Sequence, residues 1–323
     1  MRGNNNKIMY EITIGSRGSK LALTQTEWVA DQIKLHNPGV VTLVEIIRTK
    51  GDKILDTPLA KIGDKGLFVK EIEVALVAGK IDLAVHSMKD LPSEMMEGLI
   101  IGAVPKRVDP SDVLLSNKGK LAELPPGAKI GSSSLRRRAQ LMASRPDLDF
   151  HDLRGNLDTR IRRLQTGDFD GIILAYAGLH RLRWDGQIAE KIPFDVCLPA
   201  VGQGALAIQM RGDDNLILEL LEPMDHAPTR AAVTAERSLM AALSGGCQTP
   251  IAANASPDGD NLVLKAMVSS LDGKTLVRAE ETDIMENAAA LGEKVASQLL
   301  ERGAKDILEE VRRSVGPTDM GAA

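Results

Sequence analysis

Three stretches of this chain combine residue types and spacings that can do chemistry. In His86-Ser-Met-Lys-Asp-Leu-Pro92 a lysine stands beside an aspartate, just ahead of a proline. Pro92 is expected to stop the element and hold Asp90 in an extended setting. A carboxylate held there accepts hydrogen bonds and stabilises a developing cation, since two unit charges at ~4 Å interact by roughly 4 kcal/mol at an effective dielectric of about 20. Lys89 would hold an anion or keep Asp90 ionised; the alternative is an exposed Lys/Asp turn. His86 reads as a satisfied structural histidine.

The second stretch is basic. Between Ser132 and Arg163 there are eight arginines and four aspartates. Gly131-Ser-Ser-Ser-Leu-Arg-Arg-Arg138 and Leu153-Arg-Gly-Asn-Leu-Asp-Thr-Arg160 each read as a strand end, a turn and a helix start. Free backbone N–H groups, hydroxyls and the positive end of the helix dipole converge at such junctions. Arg136, Arg137, Arg154 and Arg160 would complete sites for carboxylates, which the planar guanidinium grips with two bonds. Equally, they read as ordinary caps and helix faces; Arg138, Arg145, Arg162 and Arg163 fit that second description better. The third stretch is Leu243-Ser-Gly-Gly-Cys-Gln-Thr-Pro250, inside a run from Ser238 to Pro257 that carries no charge. It sets Cys247 on a turn with no local His or Lys to lower the thiol pKa. A thiol modified once and kept modified suits it better than a general-base thiol enzyme, whereas Cys197, in Val-Cys-Leu-Pro, reads as a core cysteine.

Such groups need a frame. At 323 residues the chain has room for two or three domains. Hydrophobic residues are 43% and charged residues 26%, a globular mixture, and the net charge is only −4. Aromatic residues are 2%, too few to stack bases, so nucleic acid is not the expected partner. Two cysteines outside any Cys-x-x-Cys pair leave no disulfide framework or structural zinc site and fit a reducing cytoplasm. No metal site is expected. The N-terminal residues lack an apolar core for secretion, and no apolar run is long enough for a bilayer.

Up to about Gly212 short apolar runs alternate with helical patterns. Strands are expected at Ile12–Ile14, Val41–Ile47, Ile81–Val85, Lys129–Ile130, Leu148–Leu153 and Gly171–Ala175. Helices are expected at Lys20–Leu35, at Leu67–Ala78 with Gly79 as its stop, and after Ser134 and Asn156. The alternation predicts mostly parallel sheets covered by helices, with ligands beyond the strand ends. The expected units are 1–104 with 201–222, then 105–200, then 223–323. The last is a small α+β unit with a helix over Pro228–Leu243, a hairpin turning at Asp272-Gly273-Lys274, and two further helices separated by Gly303.

Longer motifs now fall into one pattern. In order they are Gly15-Ser-Arg-Gly-Ser-Lys-Leu-Ala-Leu23, Gly51-Asp-Lys-Ile-Leu-Asp56, Lys65-Gly-Leu-Phe-Val-Lys-Glu71 and Ala84–Pro92. Then come Gly131–Arg137, Leu153-Arg-Gly-Asn156, Leu198-Pro-Ala-Val-Gly-Gln-Gly204, Thr234-Ala-Glu-Arg237 and Gly245-Gly-Cys-Gln248. From about Ile12 to Val311 the chain resembles the porphobilinogen deaminase (hydroxymethylbilane synthase) family. The resemblance implies two lobes like those of periplasmic binding proteins, with mixed, mostly parallel sheets, and a third domain carrying the cysteine loop.

It further implies a dipyrromethane cofactor on Cys247 through a thioether, to which four porphobilinogen molecules are added head to tail with release of ammonia. Water then releases hydroxymethylbilane. By the same resemblance Arg17, Ser19, Lys89, Ser134, Arg136, Arg137, Arg154 and Arg160 hold the acetate and propionate arms. Asp90 hydrogen-bonds pyrrole N–H groups and stabilises the azafulvenium cation. Lys65 and Phe68 match a segment over the active site, Gln203 a crossing between lobes, and the family implies a monomer. Ser132 replaces a common threonine and keeps its hydroxyl; Asp64 replaces a common glycine. Two rivals remain: a two-lobe binding protein for an anion, and a thiol acyltransferase, which would need a histidine partner for Cys247.

Overall fold

The computed structural model describes residues 10–53, 66–244 and 249–315. Lys65, Asp64 and Cys247 therefore lie outside the described residues. In the first lobe β1 (Tyr10–Ser16) buries Ile12 and Ile14, and Ser19 caps the helix Lys20–His36 by accepting from the Ala22 N–H. That helix lays Val29, Ala30 and Ile33 against the sheet. β2 (Val40–Ile46), the helix Lys70–Val77, β3 (Leu83–Ser87) and β4 (Leu99–Ala103) follow. The helix is shorter than its apolar spacing predicts, because residues 66–69 form a turn before it. Its C-terminal stop is Gly79, at a φ of +65°.

The chain then crosses to a second lobe of β5 (Asp112–Ser116), β6 (Lys129–Gly131), β7 (Asp149–His151), β8 (Gly171–Ala175) and β9 (Glu190–Lys191). It returns to add β10 (Leu206–Arg211) between β3 and β4, giving the orders β2-β1-β3-β10-β4 and β7-β6-β8-β5-β9. Both sheets are mixed and mostly parallel in strand direction, as expected, with one strand of the five running against the rest. In the first sheet β10 runs antiparallel to both β3 and β4, and in the second β5 runs antiparallel to β8 and β9. The physical reason is the connectivity. β5 and β10 each follow directly on a crossing between lobes and enter their sheet from the end opposite to their neighbours. Helix-connected strands such as β1, β2 and β3, or β6, β7 and β8, remain parallel.

The C-terminal unit is an antiparallel sheet, β11 (Ile251–Asp258), β12 (Asn261–Ser269) and β13 (Leu276–Ile284), under the helices Ala227–Ala242 and Ala288–Leu299. Those helices approach closely because Gly292 has no side chain: a Cβ there would lie 2.3 Å from the Ala235 carbonyl oxygen. Leu239, Leu264, Leu291, Val295 and Leu299 fill the core between helices and sheet. The hairpin turns at Gly273, with φ +71°, and this tip sits directly on the second-lobe helix Leu135–Ser144. Gly303, at φ +99°, separates the last two helices as expected.

Candidate active site

β3 ends at His86-Ser87 and runs straight into a single 3₁₀ turn, Met88–Asp90. Asp90 is therefore in a turn and not extended. The residue that Pro92 restrains is its immediate neighbour Leu91, at ψ 130°. Across the cleft, Ser134 accepts from the Arg137 N–H at 3.5 Å and caps the helix Leu135–Ser144. Ser133 Oγ donates to the Leu153 carbonyl at 2.9 Å and accepts from the Leu153 N–H at 3.0 Å. One hydroxyl thus ties together the two strand-to-helix junctions of the basic stretch. Asn156 caps the helix Leu157–Gln165, and Arg160 Nε donates back to the Gly155 carbonyl at 2.8 Å.

Between the lobes lies a cavity of about 90 Å³ whose polar lining is Gln25, Ser87, Lys89, Arg137, Arg160 and Arg181. Burial, and next the Arg137 charge, push the Lys89 amine down to about 8, against the pull of Asp90 and Asp112. Arg160 is pushed down to about 10, by burial first and then by Arg137 and Arg154. Arg181, half-buried with its Nη2 donating to the Gly204 carbonyl at 2.7 Å, is pushed down to about 10 by desolvation. Cations crowded until they destabilise one another define a site that gains energy from negative charge.

Arg136 lies behind that cavity. Its Nη1 donates to Asp112 Oδ2 at 2.6 Å and to the Leu198 carbonyl at 2.5 Å. Arg137 grips the other oxygen of Asp112 through Nε at 2.9 Å and Nη2 at 2.6 Å. Part of the anion that the paired arginines predict is therefore internal. Burial would raise the Asp112 pKa, but Arg136 and Arg137 outweigh it and hold the carboxyl well below the usual carboxylate range. Gln203 donates to Asp112 at 2.8 Å and to the Pro110 carbonyl at 2.7 Å, while Lys89 Nζ donates to Gln203 Oε1 at 3.4 Å. The crossing segment, the Lys89 turn and the arginine helix form one connected hub.

Arg17 stacks over Phe68, 4.1 Å from its ring centroid, and so joins the β1 end to the turn before the helix Lys70–Val77. Ser19 serves as the cap of the first helix. Cys197 is fully buried in the hub, and burial pushes its thiol up to about 12. Sequence reasoning missed Asp112, Gln25 and Arg181 as members of this region. Arg181 alone left a signal, an arginine one short helix beyond the carboxyl end of β8. Among the described residues there is no cluster of metal-ligating side chains, and no helix is long and apolar enough to cross a membrane.

The family model described as "Porphobilinogen deaminase, dipyromethane cofactor binding domain" matches residues 12–219, and its C-terminal counterpart matches residues 230–301. A protein of Desulforamulus reducens named porphobilinogen deaminase is 54% identical over 304 residues, covering 94% of this chain and 98% of the relative. One of the same name from Moorella thermoacetica is 50% identical over 309 residues, covering 95% and 99%. Among solved structures, an arginine-specific periplasmic binding protein of Salmonella typhimurium superposes with a TM-score of 0.38 at 15% identity, covering 67% of this chain and 91% of that one. Matched along both lobes and into the C-terminal unit, the chain belongs to the porphobilinogen deaminase family.

Proposed function

We propose that this protein is a hydroxymethylbilane synthase that joins four porphobilinogen molecules head to tail, releases ammonia at each addition, and frees the linear tetrapyrrole by hydrolysis. The observation that carries the reading is the crowd of cations around one carboxylate turn, where burial and the Arg137 charge push both Lys89 and Arg160 down. Each porphobilinogen unit brings two carboxylates, which supply the missing charge. A dipyrromethane bound through Cys247 fits the same donor set, with Lys89, Ser134, Arg136 and Arg137 taking its carboxylates. Such a group would supply a nucleophilic pyrrole carbon for the first addition.

Arg17, Ser19, Arg154 and Arg160 are assigned to the incoming substrate. Arg160, already desolvated, binds carboxylates with charge-assisted bonds that orient the aminomethyl group. Asp90 accepts from pyrrole N–H and stabilises the cation that develops on the substrate as ammonia departs; the same carboxylate can then accept the proton released when aromaticity returns. Phe68 and Lys65 belong to the segment over the site, and Gln203 to the interlobe crossing. The reading divides the chain into 1–104 with 201–222, 105–200 and 223–323. It also takes the protein as a monomer of the reducing cytoplasm, where an unoxidised Cys247 thiol is available to form a thioether.

The intact mass of purified protein tests this. A dipyrromethane increment confined to a Cys247 peptide, with pyrrole colour on reaction with an acidic aldehyde reagent, is expected. Fully active protein with an unmodified thiol would refute it. Asp90→Asn should keep the fold and the increment yet nearly abolish turnover.

A further inference from the structure

Three side chains form a buried polar chain that the chemistry above does not use. Glu73 on the helix Lys70–Val77 is 6% exposed, Gln209 on β10 is 0% and His86 on β3 is 5%. Gln209 Nε2 donates to Glu73 Oε1 at 2.8 Å, and Gln209 Oε1 lies 3.1 Å from His86 Nε2. The Met96 N–H also points to Glu73 Oε1, at 3.5 Å. His86 pairs with Ala207 and Gln209 with Ala84, so His86 and Gln209 are diagonal neighbours on one face of the antiparallel pair.

Donor and acceptor inventory then settles the ring. A carboxamide has one NH₂ and one oxygen. With the NH₂ spent on Glu73, the oxygen faces His86, so His86 Nε2 carries the proton and Nδ1 does not. Burial pushes the His86 pKa down to about 4, the Gln209 bond opposes this and the Arg17 charge adds to it, so the ring is neutral at pH 7. His86 precedes the turn Met88–Asp90 and Met96 follows it. Both arms of the segment that presents Asp90 thus end on one carboxylate, Glu73.

We infer that Glu73, Gln209 and His86 are a positioning clamp for Asp90, fixing the His86 tautomer and both arms of the Met88–Asp90 turn. The inference rests on Asp90 being the catalytic carboxylate. None of the three touches substrate in this reading, so their loss acts on turnover more than on substrate binding. The chain also links the turn to the helix that follows Phe68, so the two walls of the site keep one register.

The experiment uses holoenzyme labelled with ¹⁵N-histidine, the His86 signals being assigned with His86→Gln. The neutral Nε2–H tautomer is expected at pH 7; an Nδ1–H tautomer or an imidazolium overturns the inference. Gln209→Met should release the tautomer and lower kcat on the order of 10- to 100-fold, the scale of a misplaced catalytic group. KM should stay within about twofold. Glu73→Gln keeps an acceptor oxygen and should restore most of kcat; a loss equal to that of Gln209→Met overturns the clamp. Where Gln209→Met does not fold, the wild-type spectrum still decides. Asp90→Asn, assayed alongside, separates the two readings. Wild-type turnover there sinks the role of Asp90, whereas an inactive Asp90→Asn beside a fully active Gln209→Met sinks the clamp alone.

Discussion

Asp112→Asn keeps the shape of the side chain at the centre of the hub and removes its charge. Arg136 and Arg137, with side chains only 5% and 8% exposed, lose the one described carboxylate within ion-pair distance of either. Breaking a buried pair by deleting one partner costs about 3–5 kcal/mol, because the remaining charge is left desolvated. Here two charges are stranded, while the Ile173 and Leu198 carbonyls go on accepting from them, so about 4 kcal/mol is the expected loss. For a unit of this size the urea slope is about 2 kcal/mol per M, which moves the midpoint by about 2 M. Trp184, packed in the second-lobe core, reports on this unit once Trp28, the other tryptophan, is replaced by phenylalanine. Because the folded carboxyl titrates below its unfolded value, the stabilisation is fully present above about pH 4 and disappears only as pH falls through the folded value. The gap between wild type and variant should accordingly be constant from about pH 5 to 8. A midpoint shift below about 0.3 M would refute the reasoning, showing that the two guanidiniums do not depend on Asp112.

Lys89, titrating near 8, loses its charge as pH rises, so its hold on the cofactor carboxylates should weaken and kcat should fall above about pH 8; Lys89→Arg should postpone that fall, and a wild-type kcat that stays flat to about pH 9 in step with Lys89→Arg would contradict the assignment. His86 titrates near 4 folded against 6.5 unfolded. Its contribution to stability is complete above 6.5 and drains away toward pH 4, by up to about 3 kcal/mol at ~1.4 kcal/mol per unit. The difference in urea midpoint between wild type and His86→Gln across that range measures it. In Gly273→Ala the new Cβ would lie 2.3 Å from the Ala139 carbonyl oxygen, at φ +71°. Loss of about 1–3 kcal/mol and slower formation of the Cys247 adduct are expected, by denaturation and by timed mass spectrometry.

Local pattern carried much of the architecture. The run Gly171–Ala175 is a strand with the bounds its composition predicts, and Asp272-Gly273-Lys274 turns a hairpin, because both depend on neighbours in sequence. β4, β5, β9, β10 and β11 escaped notice. β10 is a strand chiefly because β3 and β4 lie on either side of it, and β11 begins in an uncharged run whose composition reads as loop. In the site, the strand-to-helix junctions were visible as Gly/Ser/Asn turns followed by arginine. Asp112 was not, since a lone aspartate at the head of an apolar strand shows nothing until Arg136 and Arg137 fold onto it. The setting of Asp90 was misjudged by a single residue, the reach of a proline being limited to its immediate predecessor.

The late return of β10 has a consequence for biosynthesis. The position between β3 and β4 in the first sheet stays vacant until Arg211 has been made, about 100 residues after β4 leaves the ribosome, or roughly 5–20 s at ordinary elongation rates. During that interval β3 and β4 expose unpaired edges on either side of the gap, the kind of edge that recruits foreign strands. The second lobe, whose strands all lie between Asp112 and Lys191, can close meanwhile as a continuous piece. The nascent chain is thus most dependent on chaperones while the half that carries Asp90 awaits its last strand.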